Sequence, residues 1–156
     1  MPLQPDQAIE VFYSYAHEDE KLRNELEKHL TLLERQGVIT GWHDRKIGAG
    51  KEWQNEIDIH LDSSHIILLL ISANFIHSNY CWDIEVRRAM ERHEAKEARV
   101  IPVILDSVDW ESAPFGRLQA LPKSGKPVKK WGNRSDAFLN VAEGIRLVAK
   151  ELAVNS

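Results

Sequence analysis

Apolar positions along the chain switch repeatedly between two periods. The segment "AIEVFYSY" (Ala8 to Tyr15) is β-branched and aromatic and reads as a first strand. Leu22, Leu26, Leu30 and Leu33 then recur at helical spacing, and Gly37 supplies a terminator. "VITGWH" (Val38 to His43) reads as a weaker second strand, followed by a loop from Asp44 to Glu52 that holds two glycines. Trp53, Ile57 and Leu61 mark a short amphipathic helix. "HIILLLIS" (His65 to Ser72) is apolar without alternation, as a parallel strand covered on both faces must be. A helix follows from about Cys81 to Lys96, its apolar stripe being Trp82, Val86, Ala89 and Met90. "RVIPVIL" (Arg99 to Leu105) reads as a fourth strand, although Pro102 removes a ladder donor. "KPVKKW" (Lys126 to Trp131) reads as a short edge strand blunted by lysines. The last helix is expected to start near Ser135 as N-cap and to carry Phe138, Val141, Ile145, Val148 and Leu152.

Strands that alternate with helices call for a parallel sheet covered on both faces. The expectation is an α/β fold, a flavodoxin-like doubly wound five-stranded parallel sheet of order 2-1-3-4-5. Residues 1–156 form one domain on this reading, with about residues 1–7 a flexible N-terminus. The single cysteine excludes an internal disulfide and a cysteine-rich metal site, which suits a reducing compartment. A net charge of −4 argues against a broad nucleic-acid surface. No basic and apolar leader opens the chain, and the longest apolar run, Ile66 to Ile71, is too short to span a bilayer. The expected location is therefore the cytoplasm, with no membrane partner.

In doubly wound sheets ligands bind beyond the carboxyl ends of the strands, where strand order reverses. That point lies between strands one and three, and three segments would line it: "YAHED", "DRKIGAGKE" and "SANFIHSNYCWDIE". Each has an ordinary reading as well. His17, Glu18 and Asp19 suit a helix start, where acids favour the dipole. "GAGK" lacks the GxxxxGK[ST] pattern of a phosphate loop. The seven histidines lack metal-ligand spacing, so no metal is expected. Cys81 reads either as a small packed hydrophobe or as a thiol nucleophile without an identified base. Glu85 has two readings. On helix geometry it lies about 60° from Trp82 and could form a surface ion pair with Arg88. Its place in the first turn of the helix at the switch point suits a presented carboxylate instead.

At these segments the sequence resembles the TIR (Toll/interleukin-1 receptor) domain family, and the bacterial type most. "EVFYSYAHEDE" is similar to the family's first-strand motif and "GWHDRKIGAGKEW" to its BB loop. "IILLLISANFIHSNYCWDIEVRRAM" is similar to its third strand and acidic αC helix, and "RVIPVIL" to its fourth strand. The resemblance implies an NAD+-cleaving enzyme, an NAD+ nucleosidase, with NAD+ as substrate and no cofactor. The αC glutamate, catalytic in such relatives, maps by its four-residue spacing from Cys81 onto Glu85. It also implies substrate contacts from Tyr15, Ala16, His17, Arg45, Trp53, Cys81 and Trp82. Several relatives carry Trp at the position of Cys81, and some carry two arginines where this chain has Ala16 and His17. The family further implies homo-oligomerisation through the BB loop (Asp44 to Glu52), activity that depends on this assembly, and a role in bacterial immune or cell-death signalling, including antiphage defence. Membership as one module of a larger sensor is compatible with the chain.

Two other classes compete. A TIR module that only binds other TIR domains needs no Glu85. A phosphoacceptor receiver domain shares the architecture but needs an Asp at the tip of strand three, where this chain has Ser72.

Overall fold

The computed structural model describes residues 8–154. The expected flexible segment 1–7 lies outside the described residues. Strand β1 (Ile9–Ser14) leads through a short turn into α1 (Glu20–His29) and α2 (Thr31–Arg35), then β2 (Ile39–Trp42). Helix α3 (Trp53–Ser63) precedes β3 (Ile66–Ile71). After β3 come α4 (Ala73–His77), a π-helical segment (Cys81–Val86) and α5 (Arg87–Glu94). Strand β4 (Arg99–Ile104) and the long α6 (Arg134–Val154) complete the order.

The sheet is parallel throughout, with Ile9 opposite Ile39, Val11 opposite Ile66 and Ile66 opposite Arg99. Its pleat divides the core. Val11, Tyr13, Leu68 and Leu70 pack with α1, α2 and α6. Phe12, Ile67, Leu69 and Ile71 pack with α3 and the helices after β3. Every residue of β3 is buried, as a strand covered on both faces requires. Each such side chain contributes about 1.5–3 kcal/mol of burial. Gly37 ends the α2 turn at φ +73, a left-handed conformation that side chains disfavour.

Three expectations are corrected. Among the described residues the sheet has four strands in the order β2-β1-β3-β4, not five in the order 2-1-3-4-5. "KPVKKW" is not a strand: Val128–Lys130 form a 3-10 turn. The outer edge of β4 is already served by irregular backbone. Leu121 exchanges hydrogen bonds with Pro102 and Ile104, at 2.9 and 2.8 Å, and the Lys129 N–H donates to Leu105 O at 3.1 Å. Pro127 brings no donor to this edge. The last helix begins at Arg134, and Asn133 rather than Ser135 caps it. Asn133 Oδ1 accepts the Ser135 and Asp136 N–H groups at 2.8 and 3.4 Å.

Candidate functional site

All three loops at the carboxyl ends of β1, β2 and β3 contribute to one cavity of about 140 Å³. The β1 end supplies Tyr15, Ala16, His17 and Glu18. Trp42 and Asp44 come from the end of β2, and Trp53 and Ile57 from α3. Ser78, Tyr80, Cys81 and Glu85 come from the segment after β3.

The π-helical segment sets what faces this cavity. A π turn winds fewer degrees per residue than an α turn, which widens the angle between Trp82 and Glu85 beyond the ~60° of a regular helix. Cys81, Glu85 and Val86 become the buried positions. Trp82 is half-buried and meets the Phe115 ring edge-on, with centroids 6.1 Å apart. The expected stripe through Trp82 is thus displaced, and that ring lies outside the cavity. Two hydrogen bonds tie the segment down. Cys81 N–H donates to Ser78 Oγ at 3.2 Å, and Cys81 Sγ donates to Tyr15 O at 3.5 Å.

Glu85 is only 6% exposed. Its surface-pair reading is overturned: Arg88 pairs with Asp62 at 2.6 Å and with Glu91 at 3.3 Å. Ser14, the last residue of β1, donates its hydroxyl to Glu85 Oε1 at 2.6 Å. No second protein donor reaches the carboxyl among the described residues. Burial raises the Glu85 pKa to about 8. The Ser14 hydrogen bond works against that rise, and the charge of Asp44 adds to it.

Burial first, then the neighbouring Glu85, pushes the Cys81 thiol up to about 12. A neutral thiol donating to a carbonyl fits a packed residue, and among the described residues no histidine hydrogen-bonds to it as a base. On the opposite wall the Tyr15 hydroxyl donates to Asp44 Oδ1 at 2.5 Å, and Asp44 Oδ2 lies 3.9 Å from His17 Nε2. The buried Arg23 guanidinium stacks behind the Tyr15 ring, 5.0 Å from its centroid. Burial and the Asp44 bond raise the Tyr15 pKa, so the phenol stays neutral. Trp53 and Tyr80 pair at the mouth, their centroids 5.1 Å apart.

Of the residues expected at the site, Tyr15, Ala16, His17, Trp53, Cys81 and Glu85 line the cavity together. Arg45 and Trp82 do not. Arg45 is turned onto Glu20, its Nε 2.7 Å from Oε1. Sequence reasoning passed over Ser14, Asp44 and Tyr80. Tyr80 lies inside the quoted "SNYCWDIE" and Asp44 opens the BB-loop segment, so both were within reach; nothing local marks Ser14. Asp19, read as a helix-start acid, is buried instead. It accepts hydrogen bonds from the Ser72 hydroxyl and, at 3.4 Å, from Asn74 Nδ2. Among the described residues no helix is long and apolar enough to cross a membrane.

Comparison with known proteins gives the frame for these features. The chain is 56% identical over 139 residues to the uncharacterized protein y4lF of Sinorhizobium fredii (strain NBRC 101917 / NGR234). That match covers 89% of this chain but 43% of the relative, so the chain spans less than half of that protein's length. Among solved structures, it is similar to the TIR domain of the Toll-related receptor TRR-2 from Hydra magnipapillata, with TM-score 0.56 and 21% identity over 71% of this chain and 81% of that one. It is also similar to the TIR domains of the activated Roq1 resistosome recognizing the effector XopQ, with TM-score 0.53 and 22% identity over 96% of this chain and 86% of that one. At such identities the likeness is one of fold. Residues 11–134 match the TIR domain family directly, and the chain belongs to that family.

Proposed function

We propose that this TIR domain cleaves the nicotinamide–ribose bond of NAD+, with Glu85 as the catalytic carboxylate. The observation that carries this reading is a buried carboxyl in the cavity wall, held on one oxygen by Ser14 and on a π turn that the packing maintains. π turns of this kind are frequent at functional sites.

A single carboxylate suffices for the chemistry. Glycosidases use a second carboxyl because an alkoxide leaving group must be protonated. Here the C–N bond breaks and its electron pair returns to the pyridinium ring, which departs as neutral nicotinamide. The ribosyl group develops oxocarbenium character, and an ionised Glu85 in a dry wall stabilises that positive charge. Water then captures the cation to give ADP-ribose and a proton. Attack by a nucleophile of the same ADP-ribose gives a cyclic isomer instead. NAD+ is the substrate, and the reaction needs no cofactor.

The cavity is smaller than the roughly 300–1,000 Å³ of pockets that enclose drug-sized ligands. It takes the reacting end of a dinucleotide, and the remainder lies over the loop Asp44 to Glu52, which is largely exposed. A second protomer packed through that loop would complete the enclosure, so activity depends on homo-oligomerisation. A role in cytoplasmic immune or cell-death signalling, antiphage defence included, follows from the family.

The test is nicotinamide release from NAD+ by the wild type and by Glu85→Ala, across a protein concentration series. Specific activity should rise with concentration in the wild type and be lost in the variant. Equal rates in both remove Glu85 from the chemistry. Absence of release at every concentration and assembly state leaves a TIR module that works by contact alone.

A further inference from the structure

We infer that the lysine-rich turn from Lys123 to Trp131 binds single-stranded nucleic acid through its phosphate backbone, without regard to sequence. The distribution of charge carries the argument. Residues 112–135 hold six of the chain's 20 lysines and arginines and none of its 24 acids. The rest of the chain is therefore more acidic than its net charge of −4 states, and the cations stand as a narrow strip against it. The lysines of "KPVKKW" would suit the open edge of a strand, but no strand is there and Leu121 already fills that edge of β4. Edge protection does not account for them.

Three of the six cations are engaged. Lys129 pairs with Asp106 at 3.3 Å, Arg134 with Glu25 at 2.8 Å, and Arg117 with Glu94. Lys123, Lys126 and Lys130 are exposed and have no ion-pair partner among the described residues. The backbone beneath them is fixed. Two 3-10 turns, Lys123–Gly125 and Val128–Lys130, flank Pro127, and Val128 is buried in the core. The Lys123 N–H donates to Asn140 Oδ1 at 2.6 Å, and Trp131 Nε1–H donates to Lys126 O at 3.1 Å. A fixed backbone loses little freedom when an anion binds. Lys126 Nζ lies 5.6 Å from the centre of the half-buried Trp131 ring. That ammonium holds the place of a base: when a strand arrives, it moves to a phosphate and a base stacks on the indole. The surroundings select the partner. A duplex is stiff and would carry its phosphates over the acidic faces beside the strip, whereas a flexible single strand follows the strip alone. The turn exposes no large apolar side chain to insert into a membrane. No arginine lies within it to fork onto base edges, so charge is recognised and sequence is not.

The inference is independent of NAD+ cleavage. Its test is fluorescence anisotropy with a labelled mixed-sequence DNA of about 12 nucleotides, single-stranded or annealed to its complement, between about 50 and 200 mM salt. The wild type should bind the single strand with a Kd on the order of 10–100 µM at the lower salt, at least about threefold tighter than the duplex. The triple variant Lys123→Ala, Lys126→Ala, Lys130→Ala, checked for native melting, should bind the single strand about tenfold more weakly. Its slope of log K against log salt should be shallower by about 2, three contacts at roughly 0.7 each. Trp131→Leu, checked in the same way, should lose about fivefold or more with the slope unchanged. Equal affinity of the wild type and the triple variant overturns the inference. So does a duplex bound as tightly as the single strand, or no binding at roughly millimolar protein. Phosphatidylserine vesicles are the further comparator: capture by vesicles without binding to the oligonucleotide overturns the inference and gives the turn to an anionic membrane.

Discussion

Ser14 and Glu85 lie 71 residues apart in sequence, yet Ser14 Oγ donates to Glu85 Oε1 across 2.6 Å. This bond joins the tip of β1 to the π turn after β3 and spans the point where strand order reverses. It also favours the ionised form of a carboxyl that burial would keep neutral.

Ser14→Ala should therefore push the Glu85 titration above its present value of about 8. If the carboxylate is the active form, kcat/KM for nicotinamide release rises with pH through about 8 in the wild type. The kcat midpoint falls lower, because a bound pyridinium favours the carboxylate. In Ser14→Ala the kcat/KM limb moves to higher pH, and the rate at neutral pH drops about tenfold, the worth of one charge-assisted bond. A pH–rate profile checks both; an unmoved limb would separate Ser14 from the chemistry.

The same titration has a consequence for stability. The Glu85 pKa is raised from 4.5 to about 8 on folding. Below about 4.5 the carboxyl is neutral folded or unfolded, and its burial costs nothing electrostatic. Between the two values the folded chain holds a proton that the unfolded chain has released, so stability falls as pH rises. Glu85→Gln removes that loss. Its Tm should match the wild type near pH 4.5 and exceed it increasingly up to pH 8, by at least about 2–4 °C for each kcal/mol relieved. Thermal melts at several pH values decide it, and a gap that closes with rising pH would be the wrong sign.

Two tryptophans should separate cleanly. Trp53, at the mouth against Tyr80, should raise KM about tenfold when changed to Ala, with stability nearly intact because the ring is 44% exposed. Trp82→Ala should leave kcat/KM within about twofold and cost roughly 1–3 kcal/mol, since its ring packs on Phe115 outside the cavity. Steady-state kinetics with urea titration distinguishes the two patterns, and reversal of the pair would place the substrate on the other face of the helix.

Arg92 is a buried structural cation. Its guanidinium donates to Leu61 O at 2.8 Å and Ser64 O at 2.7 Å, closing the end of α3, and to Glu97 O at 3.1 Å. Arg92→Ala takes the guanidinium from these carbonyls, leaving Leu61 O only the long Ser64 hydroxyl bond at 3.5 Å, and should cost about 3–5 kcal/mol. The urea midpoint should fall accordingly; a loss below ~1 kcal/mol would mean that water replaces the guanidinium.

The strand and helix segments were legible because apolar periodicity is a local property, summed over many residues. So was the place of a cavity at the carboxyl end of the sheet. Once β1, β2 and β3 are parallel neighbours, their carboxyl ends lie at the same end of the sheet, and the segments holding Tyr15, Asp44 and Glu85 meet there. Contacts that depend on distant partners were not legible. Glu85 could as well have paired with Arg88, and packing settled the choice by winding Cys81–Val86 as a π turn and giving Arg88 to Asp62. Arg45 went to Glu20, 25 residues away. The fifth strand failed because Leu121 and the Lys129 N–H had taken the free edge of β4. Periodicity tells a segment how to fold on itself. Which ion pair forms and which backbone fills a sheet edge are competitions between non-local partners, and only the assembled core resolves them.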